Sequence, residues 1–493
     1  MKNLRRNAAF NVLGWALPTL IFLGLTPVMV NKLGLEAFGI VSLIQVVTGY
    51  MNVLNFGFSE AIIKQVAASY EKDRAQAGRV AWVGFQLFAA FGALGALVIF
   101  ACSNWLAYDL LKIGPSLQAD TAAALRVAAL IFLLQMLAEF YRGVSIGCQR
   151  FDVPNLSRVL RIALSGAFIL LSLQTDAGIE GVMWASLAGL VVGLVVNAWW
   201  MQRVLPLARV SGDLGAIRRE VYHYSKHVFT MRLAGMLSTN LGQLFLGTLS
   251  SATAVGLYQV PVRVAETGSV FLGRILQVFF PGFSAMDLKT DGDRIRSIFR
   301  SAFSLQLLFM TPLFLCMVLE GPALLALWIN AEFARESAGI ILIVGVTYWL
   351  SSLTNLPSSL ALSFNAPDVL SKASLVRVAV VVATGYPLVL NFGLLGAAWL
   401  LLLSELQAFW FIHQSVVRTI GRESVATTFR PMALHAGAAL LLYLLYAFWW
   451  RQSPFFTPYA LPLAAIAQVA IVCALGAVGP AERRRLARMF ARG

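Results

Sequence analysis

Gly178-Ile179-Glu180-Gly181-Val182-Met183-Trp184 opens one apolar run of the chain, and Gly393-Leu394-Leu395-Gly396-Ala397-Ala398-Trp399 opens another. Both read Gly-x-x-Gly-x-x-Trp. Ala37-Phe38-Gly39-Ile40 stands in the same way against Ala254-Val255-Gly256-Leu257, and Asp152-Val153 against Asp368-Val369. All three pairs share an offset of about 215–217 residues, which marks an internal duplication.

The duplicated unit is apolar. Of 493 residues, 59% are hydrophobic and 12% charged, against about 25% charged in an ordinary soluble domain. About fourteen runs approach the roughly 20 apolar residues that cross a bilayer. Backbone groups in lipid must be satisfied within the segment, so these runs are helices. The in–out alternation of a membrane barrel is absent. The fold class expected is therefore an all-α polytopic membrane protein. The run from about Phe10 to Val30 is too long for a signal-peptide core and reads as an uncleaved first span. The offset covers six spans, an even number, so both halves enter the membrane in the same sense. That plan gives two pseudo-symmetric six-helix bundles with a transport site between them near mid-bilayer. The lobes are expected at 1–202 and 226–419, joined by a cytoplasmic linker at 203–225. Helices 13 and 14 and a basic tail follow over 420–493.

The net charge of +15 would suggest nucleic acid in a soluble chain. Here the bases lie between apolar runs and read as topogenic charge, with no nucleic-acid partner. With the N-terminus inside, the inner loops hold Arg5 and Arg6, the Lys64-to-Arg79 group, Arg150, Arg158, Arg203, Arg218, Arg219 and the Arg483–Arg492 tail. The outer loops keep only Lys32, Lys112, Arg335 and Arg451. This asymmetry places both termini in the cytoplasm. The basic surface segments suit anionic phospholipids. Cys102, Cys148, Cys316 and Cys473 form no CxxC pair, and four scattered histidines match no metal spacing, so neither disulfide nor metal site is expected.

The opening stretch carries Asn11-Val12-Leu13-Gly14, Pro18 and Lys32-Leu33-Gly34-Leu35-Glu36-Ala37-Phe38-Gly39-Ile40, then Asn55-Phe56-Gly57-Phe58. It resembles the polysaccharide (O-antigen, Wzx-type) flippases of the multidrug/oligosaccharidyl-lipid/polysaccharide exporter superfamily. Gly147-Cys148-Gln149-Arg150-Phe151-Asp152-Val153-Pro154-Asn155 looks like that family's loop after the fourth span. The resemblance runs through nearly the whole chain. It implies a MATE-like fold of about 14 transmembrane helices around a central cavity. It also implies transfer of undecaprenyl-diphosphate-linked sugar repeat units across a bacterial inner membrane by alternating access, for surface polysaccharide biosynthesis. Coupling to H+ or Na+, with no bound cofactor, and a polysaccharide polymerase or chain-length protein as partner are implied in the same way.

Charges inside spans are costly and therefore functional candidates. Arg263 and Glu266, three apart in the eighth span, form either an internal ion pair or a diphosphate site. Arg232, in the seventh span, joins Arg263 as a candidate diphosphate ligand, because a guanidinium fork suits phosphate. Glu405 lies mid-span without a base beside it in sequence and, with Glu266, is a candidate coupling carboxylate. Glu139 and Arg142 are expected as a pair at the cytoplasmic entrance, while Arg126 and Arg161 are expected to snorkel. His413 and His435 read as structural.

Two transport alternatives remain: a cation-coupled multidrug antiporter, which would favour an acidic cavity, and a peptidoglycan lipid-precursor flippase. An enzyme is not expected. The outer loops are short, and no nucleophile–His arrangement, paired carboxylates or phosphate-binding glycine loop occurs in the aqueous segments.

Overall fold

The structure is a computed structural model. It describes residues 19–51, 55–175, 177–205, 214–215, 217–219, 221, 241–276, 292–363, 367–420, 423–448 and 467–468. The expected Arg232 site, most of the linker and the basic tail lie outside the described residues.

The described residues are helical, with no strand among them. They form α1 (Thr19–Leu33), α2 (Leu35–Met51), α3 (Phe58–Ser69), α4 (Arg74–Trp105, continued by a π turn at Leu106–Leu110), α5 (Gln118–Gly147), α6 (Asp152–Ser172) and α7 (Gly178–Val204). A short helix at 241–249 precedes α8 (Ala252–Leu276), α9 (Gly292–Trp328), α10 (Ala331–Leu353), α11 (Asn355–Ser363), α12 (Pro367–Ile420) and α13 (Glu423–Phe448). Seven of the described segments are long and apolar enough to span a bilayer. Their outer faces expose Leu97, Phe100, Leu171 and Val195, each more than half accessible. A soluble bundle would bury such residues, whereas here they suit acyl chains. The chain is a multi-pass membrane protein.

Helix ends follow local chemistry. Asp73 accepts from the Gln76 amide at 3.0 Å and caps α4, and Asn330 accepts from Phe333 at 2.8 Å and caps α10. At the end of α5, Gln149 turns left-handed at φ 57°. The Arg150 amide then reaches the Ser145 carbonyl, and the Gln149 amide reaches Ile146, each at 2.9 Å. This is a Schellman termination, and it directs the 148–151 loop back toward the bundle.

The chain divides into two compact units, Met1–Leu257 and Tyr258–Gly493. The core of the first is aromatic, with Phe58, Phe88, Phe132 and Phe140 almost fully buried. The duplicated motifs share backbone roles. Gly178 and Gly393 both take positive φ, 54° and 51°, which L side chains rarely adopt. Gly178 opens α7, and Gly393 turns α12 into two arms. Trp184 and Trp399 then stand half exposed, at 49% and 47%. Gly39 on α2 meets its repeat equivalent Gly256 on α8. A Cβ on Gly39 would overlap the Ala252 carbonyl, and one on Gly256 would lie 3.0 Å from the Leu35 carbonyl. At this end of the first unit the Lys112 amide donates to the Gly247 carbonyl at 2.9 Å, and the Ala252 amide donates to the Lys112 carbonyl.

Candidate functional site

A cavity of about 650 Å³ opens inside the first unit between α5, α6 and α7, beside the start of α3. Small residues make room for it. Gly189 and Gly193 on α7 form a Gly-x-x-x-Gly face against which α6 packs closely, as such faces allow in membranes. Ser157 of α6 donates to the Gly193 carbonyl at 2.6 Å, and a Cβ on Gly193 would lie 2.8 Å from the Cβ of Arg161. The stem of Arg161 thus crosses Gly193, and its head joins the cavity lining with Arg158 and Arg142.

Arg142 holds Glu139 in a two-toothed pair. Its Nε donates to Oε2 at 2.7 Å and its Nη2 pairs with Oε1. Ser59 completes a triad, receiving from Arg142 at 3.2 Å and donating to Glu139 at 3.1 Å. Ser59 stands on the first turn of α3, just after a backbone break where Phe56 and Gly57 have φ of 46° and 76°. Buried Asn55 supports that break by accepting from the Ser59 amide at 3.3 Å, and it also lines the cavity. The Asn55-Phe56-Gly57-Phe58 motif is therefore a helix restart at the cavity wall. Buried Asn197 of α7 lines the cavity as well and receives from Ser145 at 3.4 Å.

The 148–151 loop lies at one end of this cavity. Phe151 and the α6 residues Pro154 and Asn155 contribute to the lining. Arg150 is held away from it by a double hydrogen bond to Asp152, at 3.0 and 2.9 Å, and by the Trp200 ring 4.5 Å away. The Asp152 hydrogen bond raises the Arg150 guanidinium further above its usual range. Burial pushes the Cys148 thiol up to about 11.

The second unit holds the other predicted charges. Arg263 donates to Glu266 at 2.9 Å, and both side chains are about half exposed. Glu405 does find a base: Arg377, on the other arm of α12. The Glu405 side chain is only 9% exposed and that of Arg377 22%. Tyr348 lies within electrostatic reach of Glu266, Arg263 and Glu405, so the two charge pairs share a neighbourhood. His413 packs between the rings of Phe409 and Phe303, 4.0 and 5.9 Å away, as a structural residue does.

Sequence reasoning missed two groupings. Arg161 was expected to snorkel, but α6 packs so closely on Gly193 that its head turns into the cavity. Arg158 counted only as topogenic charge. The signal available was their spacing of three with Ser157 adjacent, a polar face on an otherwise apolar helix. Arg377 is separated from Glu405 by the Gly393 turn, and only pairing opposite charges in successive antiparallel spans would have joined them.

The family described as Polysaccharide biosynthesis protein matches residues 4–287, more than half of the chain. The chain belongs to this family. A Shigella flexneri protein named provisionally as an O-antigen transporter is 19% identical over 397 residues, covering 80% of this chain and 93% of the relative. A Haloferax volcanii protein named provisionally as the low-salt glycan biosynthesis flippase Agl15 is 24% identical over 380 residues, 76% of this chain and 75% of the relative. Both names describe transport and not catalysis. The fold is like that of solved membrane transporters. The inward-facing structure of a multidrug resistance MATE family transporter superposes with a TM-score of 0.70 at 16% identity, over 82% of this chain and 94% of that one.

Proposed function

We propose that the chain is a flippase that moves undecaprenyl-diphosphate-linked oligosaccharide repeat units from the cytoplasmic to the periplasmic leaflet of a bacterial inner membrane, by alternating access. The observation that carries this reading is the cavity lining, with Arg142, Arg158 and Arg161 set against Glu139. Guanidinium groups offer forked donors that match phosphate oxygens. An organic cation, the substrate class of a drug antiporter, would meet three arginines there. The family match and the glycan-related names of the relatives support the sugar part of the substrate.

In this account both termini face the cytoplasm, and the 148–151 loop lies at the cytoplasmic mouth of the cavity. The Glu139–Arg142 pair then stands at the entrance. Arg263 and Arg232 are kept as candidate diphosphate ligands from the sequence. Glu266 and Glu405 are carboxylates for H+ or Na+ coupling. Polymerase and chain-length proteins would take the product on the periplasmic side.

Deletion in the native host, followed by analysis of lipid-linked sugars, tests the reading. Diphosphate-linked repeat units should accumulate on the cytoplasmic leaflet while surface glycan is lost. Unchanged intermediates together with unchanged surface glycan would refute it.

A further inference from the structure

Within the arginine-lined cavity Glu139 has the geometry of a ligand. Its two oxygens sit in the fork of Arg142, one on Nε at 2.7 Å and the other on Nη2. Two oxygens of a phosphate take this same position on a guanidinium. Ser59 Oγ donates to the carboxylate at 3.1 Å, a contact that a phosphate oxygen accepts equally well. The pair is not sealed in the core. Arg142 and Glu139 side chains are 38% and 28% exposed and face the cavity. Arg158 and Glu139 both act electrostatically on Arg161, and Glu60 acts on Arg142. Glu139 is thus the carboxylate set among the three cavity arginines.

Resting on the functional reading above, we infer that Glu139 is a resident counter-ion, holding Arg142 in the place that a substrate diphosphate takes and yielding it when the substrate enters. The exchange keeps Arg142 oriented and hydrogen-bonded in the empty carrier, where an uncompensated guanidinium would be costly. It also sets a threshold, because a weak anion does not displace the carboxylate. Ser59 lies on the first turn of α3, directly after the Phe56–Gly57 break, so displacement of Glu139 changes what that turn is bonded to.

The full chain, purified in detergent, is titrated with farnesyl diphosphate, and in parallel with phosphatidylglycerol as the source of an ordinary headgroup phosphate. Glu139→Gln removes the competing charge and should tighten farnesyl diphosphate binding about tenfold. Glu139→Asp, which keeps the charge, should show no such tenfold gain. A purely structural ion pair predicts unchanged or weaker binding by Glu139→Gln, and that result overturns the inference while leaving the flippase reading in place. An equal gain for phosphatidylglycerol overturns the assignment to diphosphate. Failure of the wild-type chain to bind farnesyl diphosphate counts against the flippase reading itself. Should Glu139→Gln not fold, Glu139→Ala, which also removes the charge, is titrated in its place. It should bind farnesyl diphosphate several-fold more tightly than the wild type, and equal or weaker binding refutes the proposal.

Discussion

Removing Arg377 while keeping Glu405 tests the buried pair of the second unit. The Glu405 side chain is 9% exposed, and its cation comes from the other arm of α12 across the Gly393 turn. At a separation of about 4 Å between charge centres and an effective dielectric near 20, the Coulomb attraction is about 4 kcal/mol. Breaking a buried pair by deleting one partner costs about 3–5 kcal/mol, because the remaining charge stays buried. Arg377→Leu should therefore lose about that much stability. Arg377→Leu/Glu405→Met removes both charges and should recover to within about 1–2 kcal/mol of wild type. The assay is thermal unfolding of detergent-purified variants followed by tryptophan fluorescence, with yield of monodisperse protein as a second readout. An Arg377→Leu variant as stable as wild type would refute the reasoning, as would a double variant no better than the single. Export by a stable double variant then reports whether Glu405 couples transport to an ion.

Gly39→Val places a side chain on the Ala252 carbonyl, which backbone cannot yield, and should cost about 3 kcal/mol. Gly49→Ala on the same helix meets open space and should be neutral, with melting temperature and yield reading both. Gln149→Gly relieves a left-handed residue at the end of α5 and should raise stability by about 1 kcal/mol, seen as a higher melting temperature. In a variant retaining Cys148 as its one cysteine, maleimide labelling should be minimal at pH 7 and climb as pH approaches 11, because a raised pKa keeps the thiol protonated until then. Fast labelling at neutral pH would contradict the buried setting.

Much of this architecture could be read from residue order. Apolar run length set the helices, since lipid leaves the backbone no alternative. The paired motifs, at their shared spacing, fall on residues with backbone duties. Gly178 and Gly393 both turn left-handed, while Gly39 and Gly256 touch. The Glu139–Arg142 pair was legible because its partners stand one helical turn apart. The cavity around that pair was not. It depends on how deeply α6 settles on Gly189 and Gly193, and that packing decides whether Arg161 reaches lipid headgroups or the interior. Glu405 illustrates the same limit, since its partner is 28 positions away and is brought near only by the turn at Gly393.

The most direct measurement is a leaflet assay. Purified chain is reconstituted into vesicles with a fluorescent polyprenyl-diphosphate oligosaccharide, and an impermeant reductant is added outside. With protein, the fraction quenched should rise from about half, the outer-leaflet share, toward all of the label. Arg158→Gln/Arg161→Gln should remove most of that rise while inserting normally. Quenching that stops at the protein-free level with the wild-type chain would contradict the account.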